Sequence, residues 1–209
     1  MASRFIMISR FPTTPEHKDA LCEKLSQSSQ GRILKSLSSP EVIEILPLPE
    51  GRSLLDLVNM APAVGDTEIG KMMVADVRRE ILDFVEAPKD CSDPLPQTRF
   101  IQLRHVEVKP SMMSAYRKWR DETIFDVVRS NDAAEIFLAY HSVISGVPGV
   151  MFVAGFDAPI ETYNADFTSE RYKDIVQQAG DTYITGGTDG LYTEFYESAS
   201  AARSAANAA

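Results

Sequence analysis

Apolar and polar positions alternate along the chain in two different periods, and the second half shows the change between them most clearly. "RFIQLRHVEV" (99–108) is rich in apolar and β-branched residues and is closed by Lys-Pro, which predicts a strand. From Ser111 to Ser130 the period becomes helical: Met113, Tyr116, Arg120, Thr123, Ile124, Val127 and Val128 fall near one stripe, with Trp119 at its margin. "AEIFLAYHSVI" and "GVMFVAGF" then predict two strands joined by Ser-Gly-Val-Pro-Gly, a hairpin by length and turn chemistry. A second helix is predicted within 167–184, with Phe167, Tyr172, Ile175, Val176 and Ala179 on one face and Thr168 or Ser169 as its cap. "TGGTDG" stops it, and "LYTEFYES" is the last strand. The order β-α-β-β-α-β implies a four-stranded antiparallel sheet with both helices on one face, because each crossover is right-handed.

The first half reads as a degenerate copy. "SRFIMISRFP" (3–12) echoes "TRFIQLRHVEV" (98–108), sharing Arg-Phe-Ile. A helix is predicted from about Pro15 to Leu37, with Pro15 in its first turn. "PEVIEILPL" and "RSLLDLVNM" are the expected hairpin strands, the first placed at a sheet edge by Pro47 and Pro49. "DTEIGKMMVADVRREILDFVE" (66–86) reads as an amphipathic helix bearing Ile69, Met72, Met73, Val77, Ile81 and Phe84, and "APKDCSDPLPQ" as a Pro-rich linker. No fourth strand is evident. The expected organisation is a degenerate ferredoxin-like repeat (1–97), a second such repeat carrying the pocket (98–198), and a flexible tail (199–209).

Composition narrows the function classes. The 209 residues are 44% hydrophobic and 24% charged, ordinary for a globular protein with a sizeable core. A net charge of −9, without any local Lys/Arg run, argues against nucleic acid or an anionic membrane as partner. Cys22 and Cys91 alone make no disulfide framework. No apolar run approaches the roughly 20 residues of a membrane span or the core of a signal peptide. These features read as a cytoplasmic protein.

The two β-α-β-β-α-β units, with "GFD…FTSERYKDIV" as the local likeness, resemble the dimeric α+β barrel superfamily. That group includes antibiotic-biosynthesis monooxygenases, haem-degrading monooxygenases, small polyketide cyclases, and NIPSNAP and EthD-like proteins. The resemblance covers about 98–197 well and 3–90 by element order only. It implies an α+β fold in which two ferredoxin-like sheets, here both from one chain, pack face to face as a barrel. It also implies a small aromatic or polyketide-like substrate, and oxygenation or cyclisation without a cofactor. The assembly expected is a monomer that closes its own barrel, or a homodimer.

The candidate chemistry lies in the second half. His141 and His105 are the candidate acid/base groups, since imidazole titrates near neutral pH. They are expected about 10 Å apart, two strand spacings, which lets them flank one pocket but not share a metal ion. The competing reading is a strand histidine whose nitrogens are satisfied by neighbours. Trp119 and Tyr116, on the helix covering the sheet, are expected to shape a substrate pocket with Arg104; core packing is the alternative for the aromatic pair. Cofactor-free oxygenation of phenols would use Asn, Trp and Tyr, yet no Asn lies near Trp119 in sequence. Haem binding is a further alternative, opposed by the lack of a histidine on the second helix of either half. A non-catalytic metabolite-binding or scaffold protein is the other rival. No metal-ligand spacing, P-loop lysine or nucleophile elbow occurs.

Overall fold

The computed structural model describes residues 1–199 except Arg52, Leu54, Leu55, Leu57, Val58, Pro62, Ala63 and Asp66. Eight strands close into one barrel: β1 (Phe5–Pro12), β2 (Arg32–Ser36), β3 (Glu41–Leu48), β4 (Arg78–Lys89), β5 (Phe100–Val106), β6 (Ile136–Ile144), β7 (Val150–Phe156) and β8 (Leu191–Ser198). Around the barrel the order is β1-β3-β2-β8-β5-β7-β6-β4, with every neighbouring pair antiparallel. The first half thus contributes β4-β1-β3-β2 and the second β8-β5-β7-β6, the same relative order. The halves meet at two seams. One is long and bulged, β4 on β6; the other is three residue pairs of β2 on β8.

Alternation along each strand sorts side chains to two sides. Ile8, Ile45, Leu82, Leu103, Leu138, Met151 and Tyr196 fill the lumen and are almost wholly buried. The connection after β4 covers one end with Leu95, and Arg32 of β2 holds it by donating to the carbonyls of Pro96 and Thr98. At the other end the Arg10 guanidinium donates to Tyr196 Oη at 2.8 Å and pairs with Glu41 at 3.3 Å and Glu80 at 3.5 Å, tying β1, β3, β4 and β8.

Helices cover the outside. In the first half α1 (Lys18–Ser28) packs Leu21, Cys22 and Leu25 on Phe11, Ile33 and Val42, and the short α2 (Glu68–Lys71) adds Ile69. In the second half α3 (Met113–Glu122), α4 (Ile124–Ser130), α5 (Ile160–Asn164) and α6 (Glu170–Thr182) lie over Phe137, Val150, Phe152, Ala154 and Phe156.

Several sequence expectations are corrected. The segment 66–86 is not one helix: after α2, residues 78–89 form the missing fourth strand. Ile81 and Phe84 suit a helical stripe, but pairing with both β1 and β6 makes this segment a strand, whose bulges against β6 interrupt the alternation. The helix expected to reach Leu37 stops at Ser28, leaving β2 as the hairpin partner of β3. "RSLLDLVNM" is therefore not that partner; most of it lies outside the described residues. Pro47 does not mark an edge strand, since the barrel has none. It sits past Ile45, the last residue of β3 paired with β2. The helix expected over 111–130 breaks at Thr123, whose hydroxyl donates back to the Trp119 carbonyl at 2.7 Å. Of the two candidate caps, Ser169 starts α6, its side chain accepting from Tyr172 N–H. No described helix is long and apolar enough to cross a membrane.

Candidate functional site

A cavity of about 190 Å³ lies between the second-half sheet and its helices. Its floor is Arg104 and Val106 of β5, Phe152 of β7, and Leu191 and Thr193 of β8; Tyr116 of α3, Ile124 of α4, and Tyr172 and Val176 of α6 form its roof. The strand pairs explain why these floor residues converge: Arg104 lies opposite both Phe152 and Thr193, and paired residues share a face. The walls are fixed by aromatic contacts. Tyr116 packs on Trp119 and on Tyr183 with centroids 5.9 Å apart in each case, and Phe167 meets Tyr172 edge-on at 5.1 Å.

The polar groups are few and specific. Arg104 donates to Tyr172 Oη and, through Nε, to Thr193 Oγ1 at 3.2 Å, while its plane lies over the Phe167 and Tyr172 rings at 5.1 and 5.3 Å. It has no carboxylate partner among the described residues. Tyr116 is fully buried, and its hydroxyl lacks a hydrogen-bond partner among the described residues. Burial pushes its pKa well above the usual tyrosine value, and the nearby Arg120 charge opposes that rise only partly, so it stays protonated. Behind Tyr116, the buried Arg120 lies against the Tyr116, Phe125 and Phe152 rings and donates to Glu86 of β4, an ion pair between the halves.

The five residues singled out by sequence separate into two groups. Arg104 and Tyr116 both line the cavity. Trp119 does not; it backs Tyr116, and its indole N–H is buried without a partner among the described residues. His105 and His141 do not flank one pocket. His105 lies opposite Met151, which faces the lumen, whereas His141 lies opposite Val150, which faces the helices. His105 is buried, bonded through Nε2 to the Pro148 carbonyl at 3.0 Å and stacked on Tyr192 at 5.0 Å, while His141 is exposed at the sheet's end. Neither lines the cavity.

A larger hollow of about 490 Å³ opens at the Arg10 end of the barrel. Its lining is mainly charged, including Arg10, Arg78, Arg79, Glu41, Glu80 and Glu194, and Arg10 is already neutralised by Glu41 and Glu80. The smaller cavity is the better ligand site: apolar, partly enclosed, and holding an uncompensated charge. Haem does not fit it: a space of about 190 Å³ is too small for the macrocycle, and of the axial-ligand types only tyrosine, as Tyr116 and Tyr172, is in the lining. Among the described residues, no group of three or more His, Cys, Asp or Glu is placed to hold a metal ion.

No protein-family model and no curated protein matches the chain. Solved structures do. An anthrone oxidase-like protein matches with TM-score 0.61 at 13% identity, over 93% of this chain and 90% of its own. A candidate monooxygenase from Fusobacterium nucleatum gives 0.60 at 12% identity, over 94% and 93%. A haem-degrading enzyme from Listeria monocytogenes gives 0.53 at 8% identity, over 92% and 98%. At these identities the likeness shows the fold: a mixed α+β barrel shared with monooxygenase-like and haem-degrading structures. This agrees with the expected α+β class.

Proposed function

We propose that the chain is a small-molecule enzyme of the monooxygenase-like kind, oxidising an aromatic substrate in the second-half cavity without a cofactor. One observation carries this reading: an apolar cavity whose lining holds a guanidinium without a carboxylate partner among the described residues, Arg104, and a buried phenol, Tyr116, whose O–H is free to donate. An electron-rich phenolate held as the anion can pass electrons directly to dioxygen. One oxygen atom forms a C–O bond at a ring carbon that loses its hydrogen, the ring loses four electrons to become a quinone, and the other oxygen leaves as water. Arg104 supplies the countercharge. Tyr116 supplies a hydrogen bond to the substrate oxygen, and a bound ring against the apolar walls would shield both interactions further from solvent. No carboxylate, imidazole or thiol lines the cavity. That favours oxygenation over cyclisation, which needs a protein base to move protons. The fold neighbours, two of them monooxygenase- or oxidase-like, support the same reading. The shared strand order of the halves supports a tandem origin in which the first copy mainly completes the barrel.

Oxygen consumption with a panel of phenols and anthrones tests the proposal. Uptake should be substrate-dependent and should fall by about 10² in Arg104→Met, the usual cost of removing one preorganised charge donor. A panel that binds without any oxygen uptake would instead establish the rival reading, a non-catalytic metabolite-binding protein. The absence of a protein base in the lining is what favours that rival.

A further inference from the structure

We propose that the cavity selects a monocyclic aromatic bearing a single anionic oxygen group, phenolate or carboxylate, and excludes fused three-ring skeletons. This deepens the reading above and rests on the cavity being the substrate site. Size is the first argument. At about 190 Å³ the space is close to the roughly 150 Å³ of an apolar cavity that accepts benzene, and below the roughly 300 Å³ at which pockets for larger ligands begin. Deepening it means moving packed elements, since Phe152 and Val106 belong to a closed barrel and the roof is held by the Tyr116–Tyr183 and Phe167–Tyr172 contacts. Such packing has discrete arrangements and does not stretch continuously. The open side is at Arg104 and the exposed Thr193, where an anionic group and not a further fused apolar ring is suited.

Charge is the second argument. Of the five N–H donors on Arg104, the protein engages one with Tyr172 and one with Thr193, and no described carboxylate neutralises it. An anionic oxygen with two lone-pair directions suits the remaining donors. Tyr172 accepts from Arg104, which leaves its own O–H to donate, and the orphan Tyr116 hydroxyl is a second such donor. Among the described residues at the cavity, Arg104 is the one cation without a carboxylate, because Arg120 has Glu86; one anionic group is therefore matched, and a dianion is not.

Anaerobic binding of four probes tests this: benzoate, 4-nitrophenolate, benzyl alcohol and 9-anthracenecarboxylate. Calorimetry gives affinities, and fluorescence of Trp119, the chain's one tryptophan, reports the Tyr116 wall. The two monocyclic anions should bind at least tenfold tighter than benzyl alcohol, and the tricyclic anion should not compete with them. Arg104→Met should cost the anions at least tenfold and leave benzyl alcohol unchanged. Tyr116→Phe, which keeps the ring packing, should weaken the anions several-fold with an unaltered near-UV spectrum. Tricyclic binding as tight as benzoate, or anion affinity untouched by Arg104→Met, overturns the proposal. The two readings fail separately. Binding of monocyclic anions without oxygen uptake sinks the enzyme and leaves this specificity standing; oxygen uptake with anthrone alone does the reverse.

Discussion

His105 and His141 occupy opposite sides of one sheet, His105 turned toward the lumen beside Tyr192 and His141 toward the helices at the open end of β6. Because His141 is exposed and does not line the cavity, His141→Ala should leave ligand affinity and any turnover within a factor of two. Stability should stay within about 0.5 kcal/mol of the parent, as for other surface changes. Urea denaturation and the binding titration check both numbers. A tenfold loss of affinity would mean that the β6–β7 hairpin folds over the site when ligand is bound.

Arg120 and Glu86 join the halves, but packing rather than charge should dominate the value of that contact. Glu86 is one-third exposed and keeps Arg117 at 3.6 Å, so it stays solvated and paired when Arg120 is lost. Arg120→Met retains most of the volume beneath Tyr116, Phe125 and Phe152 and should cost about 1 kcal/mol or less. Arg120→Ala leaves a hole under the same rings and should cost about 3 kcal/mol. Equal losses in the two variants would show that the ion pair carries the energy.

These residues also mark what the sequence made legible. The element order over 98–198, the hairpin and the Ser169 cap were readable because turn chemistry and a change of period bracket each one. Alternation separates Arg104 from His105 on β5, but which of the two faces meets the helices is set by the pairing with β7 and β8. Arg120 stood on the apolar stripe of its helix, and a charged residue there was the signal for a buried cation. β4 was missed because its bulges against β6 interrupt the alternation, while Ile81 and Phe84 also fit a helical spacing. The histidine faces needed the register of β5 and β6 against β7, which no local pattern encodes.

Gly149, at the end of the β6–β7 turn, has φ +147°, and a Cβ there would lie 2.5 Å from the Val106 carbonyl oxygen and 2.9 Å from His105 Nε2. Both the backbone conformation and the space exclude a side chain. Gly149→Ala should destabilise by about 1–3 kcal/mol, the range for strained backbone positions. Gly146, in the same turn with open space around it, is the control, and its alanine variant should stay within about 0.5 kcal/mol. Matched urea midpoints for the two variants would refute the tight approach of the turn to β5.

Glu44 is a buried carboxylate beneath the α1–β2 turn, where it accepts from the Ser29 hydroxyl through Oε1 while Oε2 has no partner among the described residues. Burial raises its pKa, and the Ser29 hydrogen bond and the attraction of Arg79 offset this only in part. The folded chain therefore holds this proton to higher pH than the unfolded chain, whose glutamates titrate near about 4.3. In that window the native state binds more protons, so stability falls as pH rises through it and stays lower above it. Glu44→Gln keeps an acceptor for Ser29 and removes the buried charge. It should match the parent near pH 4 and exceed it by about 1 kcal/mol at pH 7, flattening the curve between. Urea midpoints across that range decide the matter: a variant less stable than the parent at pH 7 would mean that the Arg79 attraction outweighs the cost of burial.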